Sequence, residues 1–249
     1  RNMDSRLRGI LHRFNRNRIN RYATDYWACS EEAAKWFYKP SLLGKVQLIR
    51  NAISTEKMAF NEKKRTALRK KLGYEHKLII GNVGRLHFQK NQEFLLKIFA
   101  LILKKNPDVR LVMVGQGEDG EKLKRQAKEL HIEENVHWAG VQSDISKWLS
   151  AFDVFVFPSV FEGAPIAALE AQANGIPVVT STQAVQEGCV LNSNCKRLSL
   201  KESEEKWADT ILEAAKISRL NREEICRNFK ERGYDIYTEV KRVEKLLYC

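Results

Sequence analysis

From Leu78 onward the chain alternates between two kinds of segment. Short runs almost continuous in Val, Ile, Leu and Phe are separated by longer charged stretches, in which apolar positions recur every three to four residues. The short runs predict strands over Leu78–Val83, Arg110–Val114, Val136–Ala139, Asp153–Phe157, Val178–Thr180 and Lys196–Leu198. The periodic stretches predict helices over 91–105, 119–130, 144–151, 165–174 and 183–188. Strands with no polar alternation are covered on both faces, which is the habit of a parallel sheet. Strand–helix repetition with right-handed crossovers then gives an α/β, doubly wound sheet whose ligand binds at the carboxyl ends of the strands. Helices over 203–217, 221–231 and 234–247 close the chain.

The first third is less regular. In residues 1–22, Leu7, Ile10, Leu11, Phe14 and Ile19 fall at roughly helical spacing among arginines, which predicts a basic amphipathic helix. Two readings stay open: a solvated helix packed on a domain surface, or a face turned toward anionic lipid. Asp25–Ser30 is a short strand candidate. Ser30 followed by Glu31 and Glu32 is a good helix start, because carboxylates favour the positive end of the helix dipole. That helix should end near Lys39-Pro40. Val46–Ile49 is a second short strand, Arg50-Asn51-Ala52 a connector, and residues 60–72 a charged helix stopped by Gly73.

Composition narrows the class. The chain has 249 residues, 43% hydrophobic and 30% charged, enough for one large or two small globular domains. The formal net charge of +12 predicts attraction to polyanions, anionic lipid or phosphorylated small molecules. No apolar run approaches the roughly 18 residues of a membrane span. No signal peptide is recognisable, although the chain begins at Arg1 without Met and is expected to be a fragment. The five cysteines (Cys29, Cys189, Cys195, Cys226, Cys249) match no metal-ligand spacing and are read as free thiols of a reducing compartment.

Three loops at predicted strand ends carry candidate chemistry. The first is Gly81-Asn82-Val83-Gly84-Arg85-Leu86, continuing to His87-Phe88-Gln89-Lys90-Asn91. Gly84 permits close backbone approach, and Arg85 and Lys90 can neutralise a diphosphate beside a helix N-terminus. The other reading is ordinary surface charge. The second loop, Val114-Gly115-Gln116-Gly117-Glu118, is either a tight strand–helix turn or backbone lining of the same cleft. The third, FPSVFEGAPIAALEAQANGIPVVTS over 157–181, sets Glu162 and Glu170 around a Gly-Ala-Pro turn.

Pro165 suits the first helical position, leaving N–H groups near Gly163, Ala164 and Ile166 free for a phosphate or sugar hydroxyl. Glu162 can reach a ligand at the mouth, and a carboxylate such as Glu170 can accept hydrogen bonds from vicinal ribose hydroxyls. The plainer alternative is a locally capping Glu162 and a buried, paired Glu170. Together the loops imply a ligand with a diphosphate and several hydroxyls, a nucleotide-sugar. No Asp-x-Asp pair is present to bridge a divalent ion, so no metal and no cofactor are expected.

These motifs resemble the carboxyl-terminal, donor-binding half of family 4 retaining glycosyltransferases of the GT-B fold, of the bacterial exopolysaccharide and capsule type. The similarity runs from about residue 20 to the end and rests on Val83-Gly84-Arg85, Gln89-Lys90-Asn91, Val114 to Glu118, and the 157–181 block with Glu162 and Glu170. It implies that Arg85 and Lys90 hold the donor diphosphate and stabilise the leaving nucleoside diphosphate. Glu162 would contact the transferred sugar, Glu170 the ribose, and the Gly163–Ile166 turn the sugar and phosphates. Val141, after Gly140, is similar to a family position near the base.

The resemblance further implies residues 1–50 as the end of an amino-terminal acceptor domain with its linker, and 51–249 as a Rossmann-like donor domain. The acceptor would be lipid-linked or saccharide, and the location cytoplasmic or peripheral at the inner membrane face. The acceptor domain's glycine loop and histidine have no match here; His87, His131 and His137 do not occupy that position. Poor transfer by this chain alone is therefore expected. Glu187 lies at a suggestive place in 183–195 without an assignable role. The competing reading is a basic non-catalytic nucleotide- or membrane-binding module. Nucleic acid is disfavoured because no aromatic–basic interleaving of a known module is present. Another nucleotide enzyme, such as a sugar-nucleotide epimerase or an NAD-dependent dehydrogenase, is disfavoured because Gly-x-Gly-x-x-Gly is missing at the first strand turn.

Overall fold

The computed structural model describes residues 14–16, 18, 19 and 22–248. Most of the amphipathic helix expected over 1–22, and Cys249, lie outside the described residues; those described between 14 and 19 are helical.

A small layer comes first. Strand β1 (Trp27–Ala28) pairs in parallel with β2 (Gln47–Leu48), shorter than the two runs expected there. Between them lies α1 (Glu31–Phe37), started by Ser30, whose hydroxyl accepts the Ala33 N–H. A short helix, α2 (Thr55–Met58), and α3 (Glu62–Leu72) lead into the main sheet. The α2 turn is absent from the sequence expectations; Ser54 caps it by accepting the Lys57 N–H.

The main sheet contains β3 (Leu78–Val83), β4 (Val109–Val114), β5 (Val136–Gly140), β6 (Val154–Phe157), β7 (Val178–Ser181) and β8 (Cys195–Leu198). Their spatial order is β5-β4-β3-β6-β7-β8, every pairing parallel. The order reverses between β3 and β6, which opens a crevice at their carboxyl ends.

Helices cover both faces, so each strand must be apolar on both sides. In β6 the two phenylalanines, Phe155 and Phe157, enter the core shared with α3, α6 (Ile145–Ala151), α7 (Ile166–Asn174) and α9 (Arg222–Glu231). The two valines, Val154 and Val156, enter the opposite core with α4 (Gln92–Lys105), α5 (Gly120–Glu129) and α8 (Glu204–Ala214). The period-two geometry of a strand thus splits one apolar run between two cores. The last helix, α10 (Ile236–Tyr248), returns to the small layer: the Glu239 carboxylate accepts the Arg50 N–H at 2.8 Å, and Arg242 donates to the Leu48 carbonyl.

One segment departs from expectation. Residues 183–188 form no α-helix; the chain turns and ends in a 3-10 turn at Glu187–Cys189. The Ser181 hydroxyl takes the Ala184 N–H at 3.1 Å, and Ala184 and Val185 are buried as anchors, so the loop is held across the strand ends.

At the opposite end of the sheet, Asp153 ties three elements. It pairs with Arg65 at 2.6 Å and Arg69 at 3.0 Å, and accepts the Ile79 N–H at 2.7 Å. Arg65, Arg69 and Arg219 also donate to carbonyls closing the α6 helix, where cations offset the dipole. Burial pushes the Arg219 guanidinium down to about 9. The four described cysteines are free thiols; burial pushes Cys195 up to about 12.

Candidate functional site

The loops after β3, β4, β5 and β6 are stitched together by backbone hydrogen bonds. Gly84 N–H donates to Val114 O at 2.9 Å, Gly115 N–H to Gly140 O at 2.8 Å, and Val160 N–H to Gln89 O at 2.8 Å. Two glycines are obligatory for this closeness. A Cβ on Gly115, whose φ is +129°, would lie 2.0 Å from Gly84 O. A Cβ on Gly117 would lie 2.2 Å from Leu86 O. Both neighbours are backbone, which cannot swing aside.

On this base two of the expected groups meet. The Lys90 ammonium lies 2.7 Å from Glu162 Oε1, and the carboxylate side chain is 6% exposed. Gln89 braces the same loop, donating to Phe161 O at 2.9 Å and more distantly to Glu162 Oε2 at 3.4 Å. Asn91 donates to Pro158 O at 3.1 Å. The Lys90 ammonium also sits 5.0 Å from the Phe157 ring centroid, a cation–π distance. The stem of Lys90 runs beside Gly84, where a Cβ would touch it at 3.4 Å. The Lys90 stem therefore lies at ordinary van der Waals distance from the Cβ position of Gly84.

Arg85 is placed differently. Its side chain is 66% exposed and pairs with Glu118 at 2.8 Å rather than with Glu162. His87 Nε2 lies 3.3 Å from the other Glu118 oxygen. Glu118 is thus the anion between Arg85 and His87, and its own backbone hydrogen bond, helped by the nearby Arg85, holds its carboxyl below the usual range against desolvation. Neither Glu118 nor His87 is among the residues that the sequence singled out for the site; they are revealed by the packing of the second loop on the first.

Glu162, Gly163, Ala164 and Pro165 line a nook of about 20 Å³, room for a single water. The nook shares Cys29, Ser30, Gln186, Cys189 and Tyr234 with an adjoining cavity of about 420 Å³ between the small layer and the main sheet. Pro165 stands just before helix α7, as its cap, with φ −83° and ψ 60°. These angles are those of an inverse γ-turn. The Ile166 N–H accordingly donates to Ala164 O at 2.9 Å and is not free, a correction to the expectation for this turn. No side chain caps α7. The orphan N–H groups of its first turn are then those following Ile166.

Glu170 is half-buried in α7 and has no hydrogen bond or ion pair among the described residues, so the paired-carboxylate alternative does not hold. Burial raises its carboxyl above the usual range. Val141 is 65% exposed, just after Gly140, at the same end of the sheet. Among the described residues no group of three or more His, Cys, Asp or Glu is arranged to hold a metal ion. None of the described helices is long and apolar enough to cross a membrane.

The chain is similar to known proteins. A bacterial relative, EpsF of Bacillus subtilis (strain 168), named as a glycosyltransferase, is 34% identical over 224 residues, covering 88% of this chain and 58% of its own. The UDP-Gal:alpha-D-GlcNAc-diphosphoundecaprenol alpha-1,3-galactosyltransferase of Escherichia coli is 31% identical over 207 residues, covering 81% of this chain and 53% of its own. The chain therefore spans little more than half the length of these relatives.

Among solved structures, Anabaena HepE in complex with UDP and glucose superposes with a TM-score of 0.77 at 20% identity, over 95% of this chain and 66% of that one. WaaG, a glycosyltransferase involved in lipopolysaccharide biosynthesis, gives 0.74 at 20% identity over 98% and 70%. These likenesses establish the parallel α/β fold of GT-B glycosyltransferases. The family described as "Glycosyl transferases group 1" matches residues 64–235, more than half of the chain. The chain belongs to the glycosyl transferases group 1 family.

Proposed function

We infer that this chain is the donor-binding part of a retaining, metal-independent glycosyltransferase of family 4, using a UDP-sugar, most simply a UDP-hexose. The observation that carries the reading is the Lys90–Glu162 pair at 2.7 Å, set where three strand-end loops converge. A cation bound for a diphosphate and a carboxylate bound for the attached sugar must lie side by side, because the sugar and the phosphate share an oxygen.

In this reading Lys90 leaves Glu162 for the diphosphate, and Arg85 leaves Glu118 and swings in beside it. Two cations and the α7 N-terminus then carry the charge that develops on the departing nucleoside diphosphate. Gly84, Gly117, Gly163 and Ala164 admit the ligand close to the backbone. Glu162 fixes the transferred sugar through its hydroxyls. Glu170, half-buried without a partner, accepts hydrogen bonds from the ribose, and Val141 packs near the base. Retention follows if the acceptor attacks the face the phosphate leaves, through an oxocarbenium-like state, with the phosphate taking the acceptor's proton.

Relatives support the substrate class: HepE has been solved with UDP-glucose, and the E. coli relative is named for a UDP-Gal donor and a diphosphoundecaprenol acceptor. A lipid-linked or saccharide acceptor and work at the inner membrane face, in cell-surface polysaccharide synthesis, belong to the same proposal. Since the chain spans 58% of EpsF, it is expected to bind donor yet transfer sugar poorly by itself. Thermal melting with UDP-, GDP- and ADP-sugars in excess EDTA tests the reading. A UDP-sugar at 100 times its Kd should stabilise by about 2.7 kcal/mol, or about 5–11 °C for a chain of this size. No shift with any nucleotide, or one that requires a divalent ion, counts against it.

A further inference from the structure

The cavity beside Glu162 contains more than the donor loops. Its polar lining is Ser30, Asn51, Glu162, Gln186 and Tyr234, with the thiols of Cys29 and Cys189. Most of these groups are already engaged. Glu162 is paired with Lys90, Tyr234 Oη lies 3.1 Å from Cys189 Sγ, and Ser30 Oγ accepts Ala33 N–H while lying 3.3 Å from Gly163 O. Two are not. The side-chain amides of Asn51 and Gln186 have no hydrogen bond among the described residues, although both are half-buried.

The geometry points to Asn51 and Gln186 as the groups that recognise hydroxyls of the transferred sugar, with Ser30 closing the pocket between them. This rests on the donor reading above. Neither amide lies in one of the loops that carry the diphosphate. Asn51 belongs to the connector ahead of the matched family region, and Gln186 to the loop after β7.

The backbone beside both is hydrogen-bonded in place. Ala52 N–H returns to Arg50 O at 2.9 Å, and Ile53 is clamped by Ile53 N–H to Tyr234 O at 2.8 Å and Ile236 N–H to Ile53 O at 3.2 Å. Gln186 follows the buried Ala184 and Val185, and its carbonyl accepts the Cys189 N–H at 2.9 Å. A half-buried amide without a protein partner keeps its donors and acceptor available to a ligand in the cavity.

The chemistry selects the ligand part. An amide offers two donors and an acceptor without charge, matching a hydroxyl that both gives and takes a proton. A phosphate would instead call for cations, and the nook has none among the described residues; the charged residues Arg50, Arg232, Glu31, Glu32 and Glu187 line the larger cavity. Glu162, facing the same nook, can only accept. The nook holds about one water, while the cavity that shares Ser30 and Gln186 with it has about 420 Å³. The sugar therefore seats in the larger space against Gln186, with one edge at the nook that Asn51 and Glu162 line, and the Ser30–Gly163 contact yields as it enters.

The test is calorimetric titration of the whole chain with UDP and with UDP-glucose or UDP-galactose, whichever binds the wild type more tightly. For Asn51→Ala and Gln186→Ala the UDP Kd should stay within about twofold, while the UDP-sugar Kd should rise about 3- to 10-fold, one neutral hydrogen bond each. Asn51→Asp, which keeps an acceptor but loses the donors, should fall between. Unchanged melting temperatures without ligand establish that the variants are folded. Equal weakening of UDP and UDP-sugar, or no weakening of either, overturns the assignment. So does a wild type that binds UDP but neither sugar nucleotide. A wild type that binds no UDP at all refutes the donor reading itself, a distinguishable failure.

Discussion

The Lys90–Glu162 pair should dominate the local energetics of the unliganded site, and a double-mutant cycle can measure it. The Lys90 side chain is 20% exposed and that of Glu162 6%, with 2.7 Å between the charged atoms. For unit charges about 4 Å apart at an effective dielectric constant of about 20, Coulomb attraction amounts to about 4 kcal/mol. Desolvation offsets part of this, so the pair adds less than that to stability; removing only one partner is another matter. Lys90→Met strands a buried carboxylate with only the long Gln89 contact, and should cost about 3 kcal/mol. Glu162→Gln leaves a neutral acceptor for both Lys90 and Gln89, and should cost about 1–2 kcal/mol. The double variant should be less destabilised than the sum of the singles by about 2 kcal/mol. Urea unfolding without ligand reads these values, and Lys90→Met should also lower Tm by about 6–12 °C. A coupling below about 0.5 kcal/mol would mean that the two charges are separately solvated. The idea of a preformed pair that the donor pries apart would then be wrong.

Three further outcomes follow from the same structure. Asp153→Ala removes two ion pairs and orphans the Ile79 N–H, and should destabilise by about 3–5 kcal/mol in denaturant melts; a loss under about 1 kcal/mol contradicts the role given to this knot. Burial raises the Glu170 carboxyl above its ordinary value, because holding its charge costs the folded chain desolvation that the unfolded chain does not bear. Its favourable effect on stability exists below the unfolded pKa and is lost as pH rises through the folded one. Glu170→Gln should therefore raise the Tm of the free protein at pH 7, with the gain vanishing near and below the ordinary value of 4.5, while weakening UDP binding; a lower Tm at pH 7 sinks this. Gly117→Ala drives a Cβ against Leu86 O, and should cost about 1–3 kcal/mol and disturb nucleotide binding; a variant indistinguishable from wild type in melting and titration refutes the close approach.

The main sheet was readable in the sequence because its strands are buried on both faces. Runs such as Val154–Phe157 are apolar at every position, and the helices between them show their period. What could not be read is which residues meet across the crossover. Lys90 and Glu162 stand 72 positions apart and touch only because β6 lies beside β3. The sequence set them at one mouth, but not as a pair, and gave no hint that Arg85 rests on Glu118. The Pro165 turn misled because a proline suits both the first helical position and a γ-turn, and only ψ separates them. Residues 183–188 misled because two small or apolar anchors, Ala184 and Val185, imitate a helix face when they are pinned individually under a loop. Asn51 and Gln186 carry no periodic signal; their lack of partners exists only in three dimensions.

The most direct measurement is calorimetric titration of UDP-glucose into wild type, Arg85→Ala and Lys90→Ala in excess EDTA. Wild-type binding without a divalent ion, weakened at least about 10-fold in each variant, is the expected result, since a charged hydrogen bond is worth about 1.5–3 kcal/mol. Affinity unchanged by either substitution, or appearing only when magnesium is added, would contradict the claim that these two side chains grip the diphosphate.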